Sequence, residues 1–396
     1  MVERRPLVAV AGIGGFAADH HAALAHLEAG GQCRVVAACD PDPNLAATQA
    51  TRFGFAERGV GVFESLEALL AEHGSDLDLL TLPTPIPLHA GQHRLAVEAG
   101  VGCYLEKPPS LWWPEFRSML EVEQSAVKET QVGFNFVGDP WRRTIKQRIL
   151  SGEFGALREV RLHAVWPRDA AYYGRNSWAG RLRTGESWVI DSCIGNALAH
   201  YVQNLLFWCG TEDVDSVGKI DEVRAWLGRT HPIESYDTAL VEASLSGGVK
   251  LRIGATHAEL GVNFEPETLI FDDVRIAFRR WNEVRTEFAD GRVELGRSAI
   301  PDQAALLRHN LATYMDYLSG SVSGPTTRLT DSEPFVALCD LALISSGAIH
   351  TVTEPPDLGA FAEHGAWPSD TPNTVTMGDL PRLADTATKI YDELKR

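Results

Sequence analysis

The sequence predicts an α/β chain: a parallel sheet wound with helices on both faces, then an α+β domain with a large, mostly antiparallel sheet. Three observations carry this. Short apolar runs without polar alternation are interleaved with helical patterns over the first 130 residues, as strands buried on both faces require. A glycine-rich turn, Gly12-Ile13-Gly14-Gly15, follows the first run directly. Beyond residue 155 the apolar runs lengthen and alternate, the mark of a sheet with one face turned outward.

Taken in order, the spacing predicts a strand over 7–11 (LVAVA), a helix through about Glu28, and a strand over 34–39 ending at Asp40. Pro41 and Pro43 break the chain before a helix reaching about Phe53. A strand over 60–63, a helix over 65–73 and a strand over 78–82 follow, then Pro83-Thr84-Pro85-Ile86-Pro87. A helix over 88–99, a fifth strand over 101–105, a helix over 114–127 and a strand over 130–136 close the unit. A helix over 140–150 opens the second part. Strands are expected over 157–166, 218–228, 235–246, 248–257, 267–271 and 274–281, with Ser246-Gly247-Gly248 marking a hairpin. Helices over 196–208, 302–318 and 333–349 are expected to cover this second sheet. The division is therefore 1–130, 131–350, and a tail over 351–396 that ends in an amphipathic helix docking back.

The 396 residues suffice for two cores. A net charge of −17 disfavours a polyphosphate partner, so no nucleic-acid role is expected. No apolar run is long enough to span a bilayer, and MVERRPLVAVAGIGG reads as a first strand rather than a leader. The six scattered cysteines read as reduced, buried thiols of a cytoplasmic protein. No H-E-x-x-H, cysteine cluster or carboxylate cluster with ligand spacing appears. His20 and His21 are adjacent and face different ways on a helix, so no metal is expected.

The turn at Gly12 sits where a pyrophosphate would meet a helix N-terminus. Gly14 and Gly15 let the backbone approach, Phe16 opens the helix, and Ala17 is the third small residue. Asp40, 28 residues after Gly12, ends the second strand and is placed to accept ribose hydroxyls. Its charge would repel a 2′-phosphate, which favours NAD over NADP. The Rossmann dinucleotide-binding reading also draws in Thr84, Pro85 and His89 after the fourth strand. His89 fits a packing role equally well. At the end of the fifth strand stand Glu106 and Lys107, followed by Pro108 and Pro109, which hold the lysine in extended geometry. Its ammonium suits orienting a hydroxyl and stabilising negative charge, and Glu106 suits holding the lysine or a ribose hydroxyl.

The arrangement GIGG, CDPDP, TP, H, VEAGVGCYLEKP resembles the Gfo/Idh/MocA oxidoreductase family over about the first 130 residues. The resemblance implies reversible hydride transfer with NAD(P) on a sugar or cyclitol, a catalytic Lys107, and a homodimer or homotetramer. The family often has an Asn after the TP pair, where this chain has Ile86. It commonly has an Asp with a His four residues on; here Asp191 plus four is Gly195, and the nearest histidine is His200. Asn196 and His200, four apart, share a helix face. Asp191 is assigned to hydroxyl binding or to setting a partner's pKa, Asn196 to a hydroxyl, and His200 to acid–base work. The alternative is a structural His200 and an Asp191 that merely caps a helix.

The segment 166–181 carries three arginines, two tyrosines and two tryptophans near glycines, a composition suited to a sugar. Tyr173, Arg175, Asn176 and Trp178 are its substrate-binding candidates; an anchored structural loop is the alternative. The leading expectation is an NAD-dependent oxidoreductase acting on a secondary alcohol of a sugar, sugar acid or cyclitol. The alternatives are an NAD-assisted lyase or hydrolase working by transient oxidation, and an inactive dinucleotide-binding sensor or scaffold.

Overall fold

The computed structural model describes residues 4–258, 266–279, 281–369 and 371–395. Position 280, within the strand expected over 274–281, lies outside the described residues. Contacts divide the chain into two compact units. Unit 1 comprises Met1–Ser110, Pro114–Gly138 and Ile300–Ser332; unit 2 comprises Leu111–Trp113, Asp139–Ala299 and Glu333–Arg396.

Unit 1 is built on six parallel strands, β1 (Leu7–Ala11), β2 (Arg34–Cys39), β3 (Gly61–Phe63), β4 (Leu79–Leu82), β5 (Gly102–Leu105) and β6 (Gln131–Val132). Their spatial order is β3-β2-β1-β4-β5-β6, so the order reverses between β1 and β4. That reversal opens the crevice in which doubly wound sheets bind ligands. The crossovers use α1 (Ala17–Ala29), α2 (Pro43–Arg52), α3 (Phe55–Arg58), α4 (Leu66–His73), α5 (His89–Glu98) and α6 (Trp113–Glu123). β4 and β5 are buried at every residue, which explains their lack of alternation. Asp42 and Ser65 cap α2 and α4 through their side-chain oxygens. β6 is shorter than the 130–136 strand expected. A Cβ at Gly133 would stand 2.8 Å from Glu106 Oε1, and the chain turns there into a 3₁₀ segment over Asn135–Gly138.

Unit 2 carries α7 (Pro140–Leu150), β7 (Leu157–Val165), the single turn α8 (Ala170–Tyr173) and a small hairpin of β8 (Arg183–Thr184) and β9 (Ser187–Trp188). Then come α9 (Ala199–Cys209), β10 (Ile220–Arg229), β11 (Thr238–Leu245), β12 (Val249–Thr256), β13 (Glu267–Phe271), β14 (Val274–Arg279), β15 (Glu283–Phe288) and β16 (Val293–Arg297). A nine-stranded sheet has the order β16-β15-β14-β13-β7-β12-β11-β10-β17, where β17 is His350–Thr351. It is antiparallel except where β7 meets β12 and β10 meets β17. β15 and β16 have no counterpart in the sequence reading. β15 turns Glu283, Arg285 and Glu287 to its less buried face, and β16 exposes Val293, Leu295 and Arg297, so neither shows the apolar-in, polar-out alternation of an expected strand. The β11–β12 hairpin turns at Gly247 and Gly248, both at positive φ, as Ser246-Gly247-Gly248 predicts.

The remaining helices are α10 (Gln303–Leu318), α11 (Glu333–Ser346), α12 (Leu358–His364) and α13 (Leu383–Leu394). α11 packs on β10 and α9 on β7, as expected of helices covering the second sheet. α10 does not. Its Leu307, Leu311, Tyr314 and Met315 join Val8, Val10, Leu24 and Tyr104 in the core of unit 1, and it lies along α1. An amphipathic stripe states that a helix needs a core, not which core it returns to. The tail docks in unit 2: Leu358 and Phe361 of α12 pack with Trp226 and Leu240, and α13 lies on α11.

One charged group sits at the centre of unit 2. Glu267 is fully buried and accepts from Arg142 Nη1 at 2.8 Å, from Asn204 Nδ2 and from Trp208 Nε1. Arg142, equally buried, also donates to the Trp281 carbonyl and lies 4.4 Å from the Phe278 ring centroid. Arg142→Met strands this carboxylate without its cation, so unit 2 should lose about 3–5 kcal/mol. Urea denaturation followed by tryptophan fluorescence checks it; a loss below about 1 kcal/mol would contradict the buried-pair account.

Candidate functional site

The nucleotide edge of unit 1 begins at Gly12, whose φ of 95° only glycine adopts without strain. Its N–H donates to the Cys39 carbonyl, and a Cβ there would lie 3.3 Å from Ala17 Cβ and 3.8 Å from Thr84 Cγ2. The turn is therefore seated between α1 and the loop after β4. The N–H groups of Gly14, Gly15 and Phe16 find no acceptor among the described residues and stand at the positive end of α1. Phe16 is half exposed on the same turn. Asp40 accepts from Ile13 N–H at 3.0 Å through Oδ2 and from Asp42 N–H at 3.0 Å through Oδ1. Each oxygen keeps acceptor capacity for further donors. Free backbone donors beside a partly loaded carboxylate fit a pyrophosphate and a ribose diol respectively.

Three buried histidines brace the loops around this turn. His21 Nε2 donates to the Gly12 carbonyl at 3.1 Å, and burial pushes its pKa down to about 4, so it is neutral at pH 7. His20 Nε2 pairs with Glu106 Oε1 at 3.0 Å, with both side chains out of water. Glu106 Oε2 in turn accepts from the Lys107 N–H at 3.1 Å. His89 lies between two carbonyls, Thr84 O at 2.8 Å from Nε2 and Pro108 O at 2.9 Å from Nδ1, and burial lowers its pKa. A neutral ring donates to one of the two, and the buried ring packs between the loop after β4 and the loop after β5. Thr84 Oγ1 donates to Gln92 Oε1 at 2.6 Å, and Pro85 is exposed in the same loop. Lys107 is half-buried, and the peptide joining it to Pro108 is cis. Gly12, Asp40, Thr84, His89, Glu106 and Lys107 thus gather on one edge of unit 1. His20 and His21 were missed as site residues, because the adjacent pair was read only as a poor metal site. Their signal was position: both lie on the first two turns of the helix that follows the glycines.

In unit 2, Asp191 is buried and accepts from Gly180 N–H at 2.7 Å and from Asn196 Nδ2 at 2.8 Å. Ile190 before it has φ 45°, the one non-glycine residue at positive φ among the described residues. A β-branched residue there costs about 1–3 kcal/mol. The segment is held regardless, with Val189 and Ile190 N–H both on the Leu182 carbonyl and Asp191 N–H on the Arg181 carbonyl. Ser192 caps a π-helical turn over Cys193–Ala197 through Gly195 N–H, and α9 begins at Ala199. Asp191 does not cap that turn; Ser192 does. Asn196 and His200 are partly exposed on a segment whose neighbours are mostly buried, while His200 Nδ1 itself is buried.

The 166–181 segment is held by local contacts. Asn176 Oδ1 accepts from the N–H groups of Trp178 and Ala179 and closes the loop itself. Arg175 lies 3.7 Å from the Tyr172 ring centroid and 5.4 Å from that of Trp178, and donates to the Tyr172 carbonyl. Tyr173 turns its ring to His231, 5.1 Å away, and its hydroxyl is buried. A cavity of about 540 Å³ in unit 2 is lined by Arg181, Arg229, His231, Glu234 and Lys395 and by none of the expected site residues. Its Arg181 and Lys395 are both paired with Glu234. Among the described residues no helix is long and apolar enough to cross a membrane, and no group of three His, Cys, Asp or Glu is placed to hold a metal. All six cysteines are free and buried.

Residues 7–134 match the GFO_IDH_MocA family, described as "Oxidoreductase family, NAD-binding Rossmann fold". A curated relative, 4-carboxy-2-hydroxymuconate-6-semialdehyde dehydrogenase of Sphingobium sp. (strain NBRC 103272 / SYK-6), is 23% identical over 225 residues. That match spans 57% of this chain and 63% of the relative. Among solved structures, the WlbA dehydrogenase from Bordetella pertussis, in complex with NADH and UDP-GlcNAcA, is 23% identical with a TM-score of 0.69. The alignment covers 87% of this chain and 97% of that one. An oxidoreductase from Agrobacterium radiobacter, in complex with NAD+, L-tartaric acid and magnesium, is 16% identical with a TM-score of 0.73, covering 95% and 100%.

Two outcomes follow for unit 1. Gly12→Ala forces a side chain into positive φ against Ala17, so stability should fall by about 1–2 kcal/mol and the NAD dissociation constant should rise about tenfold. Fluorescence titration with NAD checks this, and an unchanged affinity would contradict the seating of the turn. Burial holds the folded His21 pKa at about 4 against the ordinary 6.5, so its contribution is present above pH 6.5 and lost as pH falls toward 4. Thermal melts across that window should show a steeper acid limb for the parent than for His21→Gln; parallel limbs would contradict a buried neutral imidazole.

Proposed function

We propose, from the premise that residues 7–134 belong to the Gfo/Idh/MocA oxidoreductases, that this chain is an NAD-dependent oxidoreductase acting on a secondary alcohol of a sugar, sugar acid or cyclitol. The observation that carries the proposal is the nucleotide edge itself: unpartnered N–H groups at Gly14, Gly15 and Phe16, a carboxylate at Asp40, and Lys107 delivered to the same edge by β5. The N–H groups would hold the pyrophosphate and Asp40 the adenosine ribose, which favours NAD over NADP. NAD, when bound, supplies the hydride acceptor or donor.

The chain's own residues handle orientation and the proton. Lys107 places a fixed positive charge beside a substrate hydroxyl and stabilises the oxygen as its proton leaves. Glu106, locked by His20 and by the Lys107 N–H, holds the backbone from which that ammonium extends. In unit 2, His200 is half-exposed and is assigned the proton exchange; Asn196 binds a hydroxyl. Asp191, loaded by Gly180 and Asn196, fixes the amide's orientation and supplies negative charge beside it. The bound sugar acid of the Bordetella pertussis structure and the tartaric acid of the Agrobacterium radiobacter structure support polyhydroxylated ligands for this fold.

Lys107→Ala should lower kcat by about a hundredfold or more while the NAD dissociation constant stays within about threefold. Absorbance of the reduced nicotinamide over a sugar and cyclitol panel, with NAD and NADP tested separately, measures the first; fluorescence titration measures the second. Equal losses in both would make Lys107 a structural residue. Product formed without net NADH would instead favour transient oxidation followed by elimination or hydrolysis.

A further inference from the structure

The ends of two neighbouring parallel strands, β7 and β12, hold a group of polar side chains that the proposed chemistry does not use. Trp166 N–H donates to the Thr256 carbonyl at 2.9 Å and Arg168 N–H to the His257 carbonyl at 3.0 Å. His257 Nδ1 donates to the Trp166 carbonyl at 2.8 Å. This ladder carries the pairing past both strands and fixes Arg168 beside His257. Arg168 lies 4.4 Å from the Trp166 ring centroid and 4.6 Å from that of Tyr172. Tyr172 is 6.2 Å from the His257 ring and 5.2 Å from the Tyr173 ring. Tyr173 is pinned from the far side by His231, itself locked at 2.7 Å to the buried Asp237.

Three atoms of this cluster are buried with no hydrogen-bond partner among the described residues: Arg168 Nε, Tyr173 Oη and His257 Nε2. Unpaired buried polar atoms are costly, and three in one cluster offer hydrogen-bonding capacity to a bound partner. Their chemistry specifies it. Because Nδ1 carries the hydrogen given to Trp166, Nε2 of the neutral ring is an acceptor only. Burial, with Arg168 nearby, pushes the His257 pKa down to about 4, so the neutral ring persists at pH 7. Arg168 offers a charged donor, and Tyr173, whose pKa is raised by burial, offers a neutral hydroxyl. A simple carboxylate leaves His257 Nε2 unpaired. A neutral polyol leaves the guanidinium without a counter-charge.

We propose that Arg168, Tyr173 and His257 form a binding site for a hydroxy acid, in which Arg168 takes the carboxylate and His257 Nε2 accepts a hydroxyl hydrogen. Tyr173 Oη bonds a second oxygen, and the Tyr172 ring supplies an apolar face to the carbon chain. The site narrows the substrate class to acids; it rests on the reading of unit 2 as the substrate-binding unit.

Calorimetric titration of the full chain, with and without NADH, tests this using D-glucuronate and D-gluconate as probes against D-glucose and acetate. At least one of the two hydroxy acids should bind about tenfold more tightly than D-glucose and than acetate. Arg168→Met should remove that advantage while leaving D-glucose unchanged. Tyr173→Phe should weaken the acid about fivefold or more with an unchanged or raised Tm, since it deletes an unpaired buried hydroxyl. Acids that bind no better than D-glucose and acetate, or an Arg168→Met variant within twofold of the parent, would overturn the proposal. Oxidoreductase activity is scored separately: reduced nicotinamide formed from polyols but indifferent to Arg168 sinks the hydroxy-acid site alone. Acid binding that depends on Arg168, without any turnover, sinks the oxidoreductase reading alone.

Discussion

The nucleotide edge of unit 1 depends on buried imidazoles that brace its loops against one another. Loops at strand ends carry unpaired backbone groups and move unless something holds them. Here His21 holds the carbonyl of Gly12, His20 holds Glu106, and His89 spans the loops after β4 and β5. The His20–Glu106 and His89–Pro108 contacts are buried and join segments further apart in sequence, so solvent competes little for them. The glycine turn can leave its N–H groups open to a ligand because its carbonyl side is already anchored. Lys107 has a defined starting point because Glu106 beneath it is doubly engaged.

Unit 2 uses a different device. Its core is an antiparallel sheet with helices, and the segment before Asp191 is forced through an unfavourable backbone angle at Ile190. The hydrogen bonds to Leu182 and Arg181, together with those Asp191 accepts, over-determine this conformation. Strain kept in place by such redundancy is a mark of a segment whose position matters. The result is a buried carboxylate, an amide aimed by it, and a half-exposed histidine one turn further on.

The first sheet was legible because parallel strands covered on both faces cannot alternate, and the runs 7–11, 34–39, 78–82 and 101–105 do not. The glycine turn was legible because positive φ and close approach to Ala17 at Gly12 demand a glycine. What failed did so for physical reasons. β15 is hidden by its charged Glu283, Arg285 and Glu287, of which Arg285 and Glu287 pair along the strand, and β16 leaves Val293 and Leu295 exposed, so neither reads as a half-buried strand. α10 carries an apolar stripe that suits either sheet, and only tertiary packing sends it to α1. His20 and His21 looked like a failed metal site because sequence shows adjacency, not the two different loops that their faces reach. Asn176 accepts through its amide oxygen from its own loop, a local contact that the sequence does not show. Arg168 and His257 lie 89 positions apart, and only the parallel pairing of β7 with β12 brings them together.

The central claim is that the braced glycine turn and Asp40 hold NAD. A crystal structure of the chain grown with NAD tests it most directly. The account predicts the pyrophosphate within about 3 Å of the N–H groups of Gly14, Gly15 and Phe16, with Asp40 accepting from ribose hydroxyls. Density for NAD elsewhere, or an Asp40 carboxylate turned away from any ribose, would contradict it.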